Sequence, residues 1–316
     1  DSAKPYSRFP LQYDGMPAAI LLPHLSAEKR IAQVLQLRAV AELQKGESEK
    51  ALNDVKLTLR LVGASHGEPF LICHLVRIAI FNYALQPIWE GLANHQWSDA
   101  QLMELDSELT KLDFVADYKF VIRGERAFTI GDIEFIRQHA HDPRPNRPHF
   151  YSLAPLFFRL TDAFSNYSYN GDTANNSFSM LALGLGPSGW LDQNELRLAR
   201  FILKWHLPVA DEKNKTISPD KAHAAENALI QEIQQRTPEN ILETLLVPRF
   251  SGVAKNFAHA QGSTDLARAA LALERYRLAN ENYPESLDAL VPKFISEMPH
   301  DVIGGESLKY RRDSAN

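Results

Sequence analysis

The sequence predicts an all-α protein: an irregular stack of antiparallel helices followed by a small C-terminal module of different character. Three observations point there. Apolar residues recur at three- and four-residue steps, as in Leu52, Val55, Leu59 and Val62. Capping residues stand where such runs begin, and glycines stand where they end. Continuous period-two alternation, the mark of half-buried strands, is scarce. With 45% hydrophobic and 23% charged residues among 316, the chain can bury a substantial core.

The elements follow in order. Residues 1–25 carry Pro5, Pro10, Pro17 and Pro23 and read as an extended arm, pinned by Tyr6, Phe9, Leu11 and Tyr13. Residues 26–263 read as the helical domain. Its first helix is expected to start at an N-cap, Ser26, and to stop at Gly46; the second ends at Gly63. Residues 68–94 are apolar nearly all round, which predicts a buried central helix kinked at Pro87. Ser98 and Gln101 have capping-box spacing and open a helix through Lys111. Separate helices are expected over 114–123 and 130–139.

The proline-rich stretch 139–150 predicts a loop, 151–164 a helix, 165–178 an exposed polar loop and 184–189 a further break. Asp192 and Glu195 suggest a capped helix running to His206. Ser218-Pro219 and Thr237-Pro238 place Ser or Thr at a cap with Pro in the first turn, so helices are expected through Arg236, from Pro238 to Gln261, and from Thr264 to Leu278. Short strands are expected around Leu308 to Arg311. Residues 264–316 form the C-terminal module.

Composition narrows the function. The net charge of −5 and pI near 6.1 argue against a nucleic-acid binder, whose affinity rests on clustered Lys and Arg. A single cysteine, Cys73, excludes an intramolecular disulfide and a Cys-based zinc or iron–sulfur site. Its apolar setting reads as a small buried hydrophobe. The longest apolar run, residues 70–85, falls short of the roughly 20 residues a bilayer requires and carries His74 and Arg77. The chain begins at Asp1 rather than Met, so any signal peptide or membrane anchor would precede it, and membrane contact is expected only through such a segment.

Motif chemistry is sparse. The stretch at 184–190 lacks the Gly-Lys-Ser/Thr ending of a phosphate loop, and no Gly-x-Ser-x-Gly, Gly-x-Gly-x-x-Gly or His-Glu-x-x-His occurs. No cofactor is implied. Trp89, Trp97, Trp190 and Trp205 read as core or groove-lining residues. The one metal-like cluster is His139, His141, Asp142 and His149, with ligand types that suit zinc or iron. Arg144 and Arg147 beside it disfavour a cation, so solvated loop histidines are the simpler account. Glu274 and Arg277 stand three apart on a helix and read as an ion pair. If buried, they would hold the turn at Tyr283-Pro284 rather than catalyse. Glu125, between Arg123 and Arg126, calls for the same reading.

Two stretches resemble known families. Residues 31–62, with Ala39, Ala51 and the Gly46 turn, resemble one tetratricopeptide hairpin, which implies stacked helix pairs. The stretch from Ala270 to Arg312 resembles type II secretion major pseudopilins where their long helix ends. There a Tyr-x-x-x-x-Gly-x-Tyr-Pro turn leads to a short helix ending in Leu-Val-Pro and then to an Asp-Pro-Trp-Gly loop. Tyr276, Tyr283, Pro284, Leu287, Leu290, Val291, Pro292, Pro299, Asp301, Gly304 and Tyr310 fit that pattern. The Asp-Pro-Trp-Gly box reads Asp301-Val302-Ile303-Gly304, and the family's long N-terminal apolar helix is absent, so the chain is not a pilin subunit. A helical body with this tail is also similar to a group of uncharacterised bacterial envelope proteins. These commonly carry an N-terminal anchor, and their tail continues beyond the point matching Asn316.

The resemblance implies a periplasmic or exported setting in the cell envelope. The first expectation is therefore a non-catalytic scaffold that binds a protein partner or a larger envelope assembly, itself included. The alternatives are a metal-dependent hydrolase using the His-rich loop and a structural subunit of a filament or membrane complex. Glu274, Arg277, Tyr283, Pro284 and Asp301 are the expected structural junction.

Overall fold

The computed structural model describes residues 17–140, 189–235 and 250–312, together with Phe9, Leu11, Thr237, Glu239, Asn240, Leu242, Leu246 and Val247. The protein is mostly helical and its class is all-α. Helix α1 (His24–Gln44) and helix α2 (Ser48–Ala64) form a hairpin around Gly46, whose φ of +76° only glycine adopts without strain. Helix α3 (Leu71–Ala93) packs against both, helix α4 (Asp99–Leu109) packs on α2, and helix α5 (Phe114–Ala140) lies against α3.

Further along come helix α6 (Gly189–Phe201), a π turn (Ile202–His206) and a 3-10 turn (Leu207–Val209). A short antiparallel hairpin follows, β1 (Ala210–Asp211) with β2 (Thr216–Ile217), in which Ala210 pairs with Ile217. Helix α7 (Pro219–Gln234) leads to the long helix α8 (Ser251–Asn280), which touches α3, α4, α5 and α7. One contiguous apolar core, with Phe81, Trp97, Phe114, Tyr118, Phe250 and Phe257 among its large members, joins these helices.

Many expected signals act as read. Ser98 and Gln101 close a reciprocal capping box. Ser218 accepts from the Lys221 N–H with Pro219 in the first turn. Trp97 is fully buried over Gly91, where a Cβ would sit 2.1 Å from the indole nitrogen.

Other expectations are corrected. Helix α1 starts at His24, and the Ser26 hydroxyl donates back to the Pro23 carbonyl instead of capping. The expected helices at 114–123 and 130–139 are one helix. Its N-terminus is capped by Asp113, and by Gln261 accepting from the Phe114 N–H at 2.9 Å. Residues 251–280 likewise form one helix, crossing the boundary drawn between 263 and 264. The polar run Gln261-Gly262-Ser263-Thr264 does not break it, because Thr264 bonds the Ala260 carbonyl and Gln261 serves α5. No helix starts at Thr237, where the described residues form a turn closed by Asn240. Asp192 and Glu195 both take hydrogen bonds from Arg137 and so tie α6 to α5.

Toward the C-terminus no strand forms at 308–311. Among the described residues there, the β structure is a single bridge between His300 and Ser307, and the Ile217 N–H donates to the Val302 carbonyl at 2.8 Å. Helix α3 is the one described helix long and apolar enough to cross a membrane. Here it serves as a core helix, packed by α1, α2, α5 and α8 and carrying a buried ionic group.

Candidate functional site

The stretch joining α2 to α3 lies beside a buried polar cluster that draws on α2, α3 and α5. Its anchor is Arg77, three residues into the second turn of α3 and almost fully buried. The guanidinium donates to the Val62 carbonyl at 2.6 Å, capping α2, and to Asp117 of α5 at 2.8 Å. His74, one turn earlier, contacts Arg77 through Nδ1 at 2.8 Å and the Glu68 carbonyl through Nε2 at 3.1 Å. His66 reaches the other Asp117 oxygen at 3.1 Å. Three helices thus meet on one buried ion pair, and truncating either partner would strand a charge at a cost of about 3–5 kcal/mol.

The electrostatics follow from burial. Desolvation, reinforced by the Arg77 charge, pushes the His74 imidazole down to about 3, so it is neutral. Burial disfavours the Asp117 carboxylate, but the His66 hydrogen bond and the Arg77 charge outweigh it and hold the group below the usual carboxylate range.

A second group shares the connector. His24, the first residue of α1, places Nε2 3.0 Å from the Glu68 carboxylate, and the Cys73 thiol donates to the same oxygen at 2.9 Å. Glu28, one turn beyond His24, accepts from the Ser65 hydroxyl at 2.9 Å. Burial raises the Glu28 carboxyl above its usual range and the Cys73 thiol well above its own. The surroundings are apolar: Leu25, Phe70, Leu11, Ile20, Leu22 and Phe128 pack about Cys73, and Phe9 stacks on the His24 ring at 4.0 Å. One oxygen on each of Glu28 and Glu68 is buried with no hydrogen-bond partner. Sequence reasoning passed over this group because its members come from positions 24, 28, 68 and 73 and form no local motif. The sole readable hint is His24 and Glu28 four apart on one helix face.

Of the residues expected at the junction, Glu274, Arg277 and Tyr283 are brought together. Glu274 is 2% exposed and accepts from Arg277 at 2.7 and 2.9 Å, from the Tyr283 hydroxyl at 3.0 Å and from His95 at 2.9 Å. Burial opposes its charge, yet these donors hold the carboxyl below its ordinary value. His95 sits in the left-handed region at φ 53°, in the turn between α3 and α4. The Pro284 carbonyl accepts from the Tyr310 hydroxyl at 3.0 Å. Asp301 is not part of this group. It closes its own turn, accepting from the Gly304 and Gly305 N–H groups, with Gly305 at φ +72°.

Glu125, between its two arginines, is drawn elsewhere and accepts from the Leu71 N–H at the start of α3. Of the His-rich cluster, His139 falls in the last turn of α5 without a described side chain, and His141, Asp142 and His149 lie outside the described residues. Compared with known proteins, the chain matches no family model, no curated protein and no solved structure.

Proposed function

We propose that the protein is a non-catalytic interaction subunit that presents helix α1 to a protein partner in a bacterial cell-envelope assembly. The observation that carries this reading is the outer face of α1. Ala32, Leu35, Ala39 and Leu43 bury one side of the helix against α2 and α3. On the other side Ile31, Val34 and Leu37 are 52%, 63% and 71% exposed. A helix apolar on two sides needs two partners, and the described chain supplies one. The exposed steps of three residues form a stripe of the kind an amphipathic helix covers. Exposed Lys29 and Arg30 flank it, so the partner helix should carry carboxylates beside its own apolar stripe. The envelope setting rests on the pseudopilin-like tail alone.

A photo-crosslinking residue at Val34, in the native host, tests this. A discrete adduct is expected at Val34 and not at exposed Asn53 of α2, and Leu37→Glu should reduce it by about tenfold. Equal labelling at both positions, or no adduct, would overturn the proposal.

A further inference from the structure

We propose that His24, Glu68 and Cys73 form a binding site for a single zinc-like divalent cation, which pins the start of α1 to the α2–α3 connector. The ligand atoms of all three lie within 4.8 Å of one another. One cation can therefore touch imidazole, carboxylate and thiolate together after small side-chain adjustments. That mixed set suits zinc, a borderline-soft ion that takes nitrogen, oxygen and sulfur in tetrahedral array. Hard ions such as calcium and magnesium call for all-oxygen sites. Cys73 need not have cysteine partners, so the single thiol that rules out a Cys-only site does not rule out this one.

A second observation points the same way. Glu68 and Glu28 are 8% and 6% exposed, and each buries one carboxylate oxygen with no donor. Buried carboxylate oxygens without partners carry a desolvation cost that a bound cation removes. Glu28 stands one helical turn from His24 and feels the charges of both His24 and Glu68, so its unpartnered oxygen lies beside the three-residue group. The proton balance is simple: Cys73 now donates its S–H proton to Glu68, and coordination replaces that proton with the cation and releases it to solvent. The site is closed in character, lined by Phe9, Leu25 and Phe70, so its role is to hold structure and not to activate water.

The test uses cobalt(II) as a spectroscopic stand-in on chelator-stripped full-length protein. Because Cys73 is the one cysteine in the sequence, a thiolate-to-cobalt charge-transfer band can come from no other place. The band should saturate at one equivalent, be displaced by zinc, and vanish in Cys73→Ser. His24→Gln should weaken apparent affinity at least about tenfold. A variant with His139, His141 and His149 all changed to Ala should keep the band, which separates this site from the His-rich loop. Should Cys73→Ser fail to fold by circular dichroism, His24→Gln carries the test. No band in folded wild-type protein, or an undiminished band in His24→Gln, would overturn the proposal.

Discussion

At the scale of single residues, burial governs what the polar groups do. His206 shows this in its simplest form. It is 2% exposed in the π turn, packed between Phe201 and Phe250, and its Nε2 is buried with no partner. Desolvation pushes its imidazole down to about 4. Between about pH 4 and an unfolded value near 6.5, the unfolded chain binds a proton that the folded chain does not. The His206 contribution is therefore intact above pH 6.5 and is lost as pH falls toward 4. Asp132, raised to about 6 by burial, acts in the opposite sense, losing its contribution as pH rises through the acid range. Comparison with His206→Phe isolates the imidazole term. Chemical denaturation should show wild type losing stability relative to the variant by about 1.4 kcal/mol per pH unit from 6.5 down to 4. Parallel curves would mean that His206 takes up its proton in the fold as readily as in the unfolded chain.

At the scale of elements, what the sequence reveals depends on whether the signal is local. The capping box at Ser98, the Pro start of α7 and the Gly46 stop are satisfied within a few residues, and they are legible. The lengths of α5 and α8 are not, because distant residues settle them. The helix expected over 114–123 stops short of Gly124, yet the lack of a side chain there is what lets α5 pass the α2–α3 connector. A Cβ there would lie 2.1 Å from the Pro69 carbonyl oxygen. Asn280 and Asn282 read as the left-handed residues of the turn after α8, whereas Glu281 takes φ 63°, the Asn280 amide donates back to the Tyr276 carbonyl and the Asn282 amide donates to the Asn280 carbonyl. The Glu274 junction was legible because Glu274, Arg277 and Tyr283 lie within ten positions. The His24–Glu68–Cys73 group was not, since only tertiary packing assembles it. Gly124→Ala should accordingly cost about 1–3 kcal/mol by overpacking, although alanine is the better helix former. Calorimetry should show a lowered Tm with helix content retained. An unchanged or raised Tm would mean that the Pro69 segment yields freely.

At the scale of the whole molecule, the tail after α8 carries a small apolar cluster apart from the main core. Its own core is small: Leu290, Phe294 and Ile295 close over Ala272, with Leu287 and Tyr276 beside them. Val302, buried in the main apolar core, and a set of polar bonds hold it to the body. Arg275 spans Asp99 of α4 and the Phe294 carbonyl, Ile217 of β2 meets Val302, and Glu274 gathers His95, Arg277 and Tyr283. Glu274 is the point where body and tail share one acceptor. Glu274→Ala leaves the Tyr283 hydroxyl and Arg277 without it, a loss of about 1–3 kcal/mol. Because so little apolar surface backs the tail, that loss should appear as local opening and not as global unfolding. Hydrogen exchange should accelerate about tenfold or more over residues 281–298, while amides of α2 and α3 keep their protection. Tyr283→Phe, which removes one donor and leaves the carboxylate paired with Arg277 and His95, should give a smaller effect in the same segment. Uniform acceleration across α2, α3 and the tail would instead make Glu274 part of the global core, and the tail would then be no separate unit.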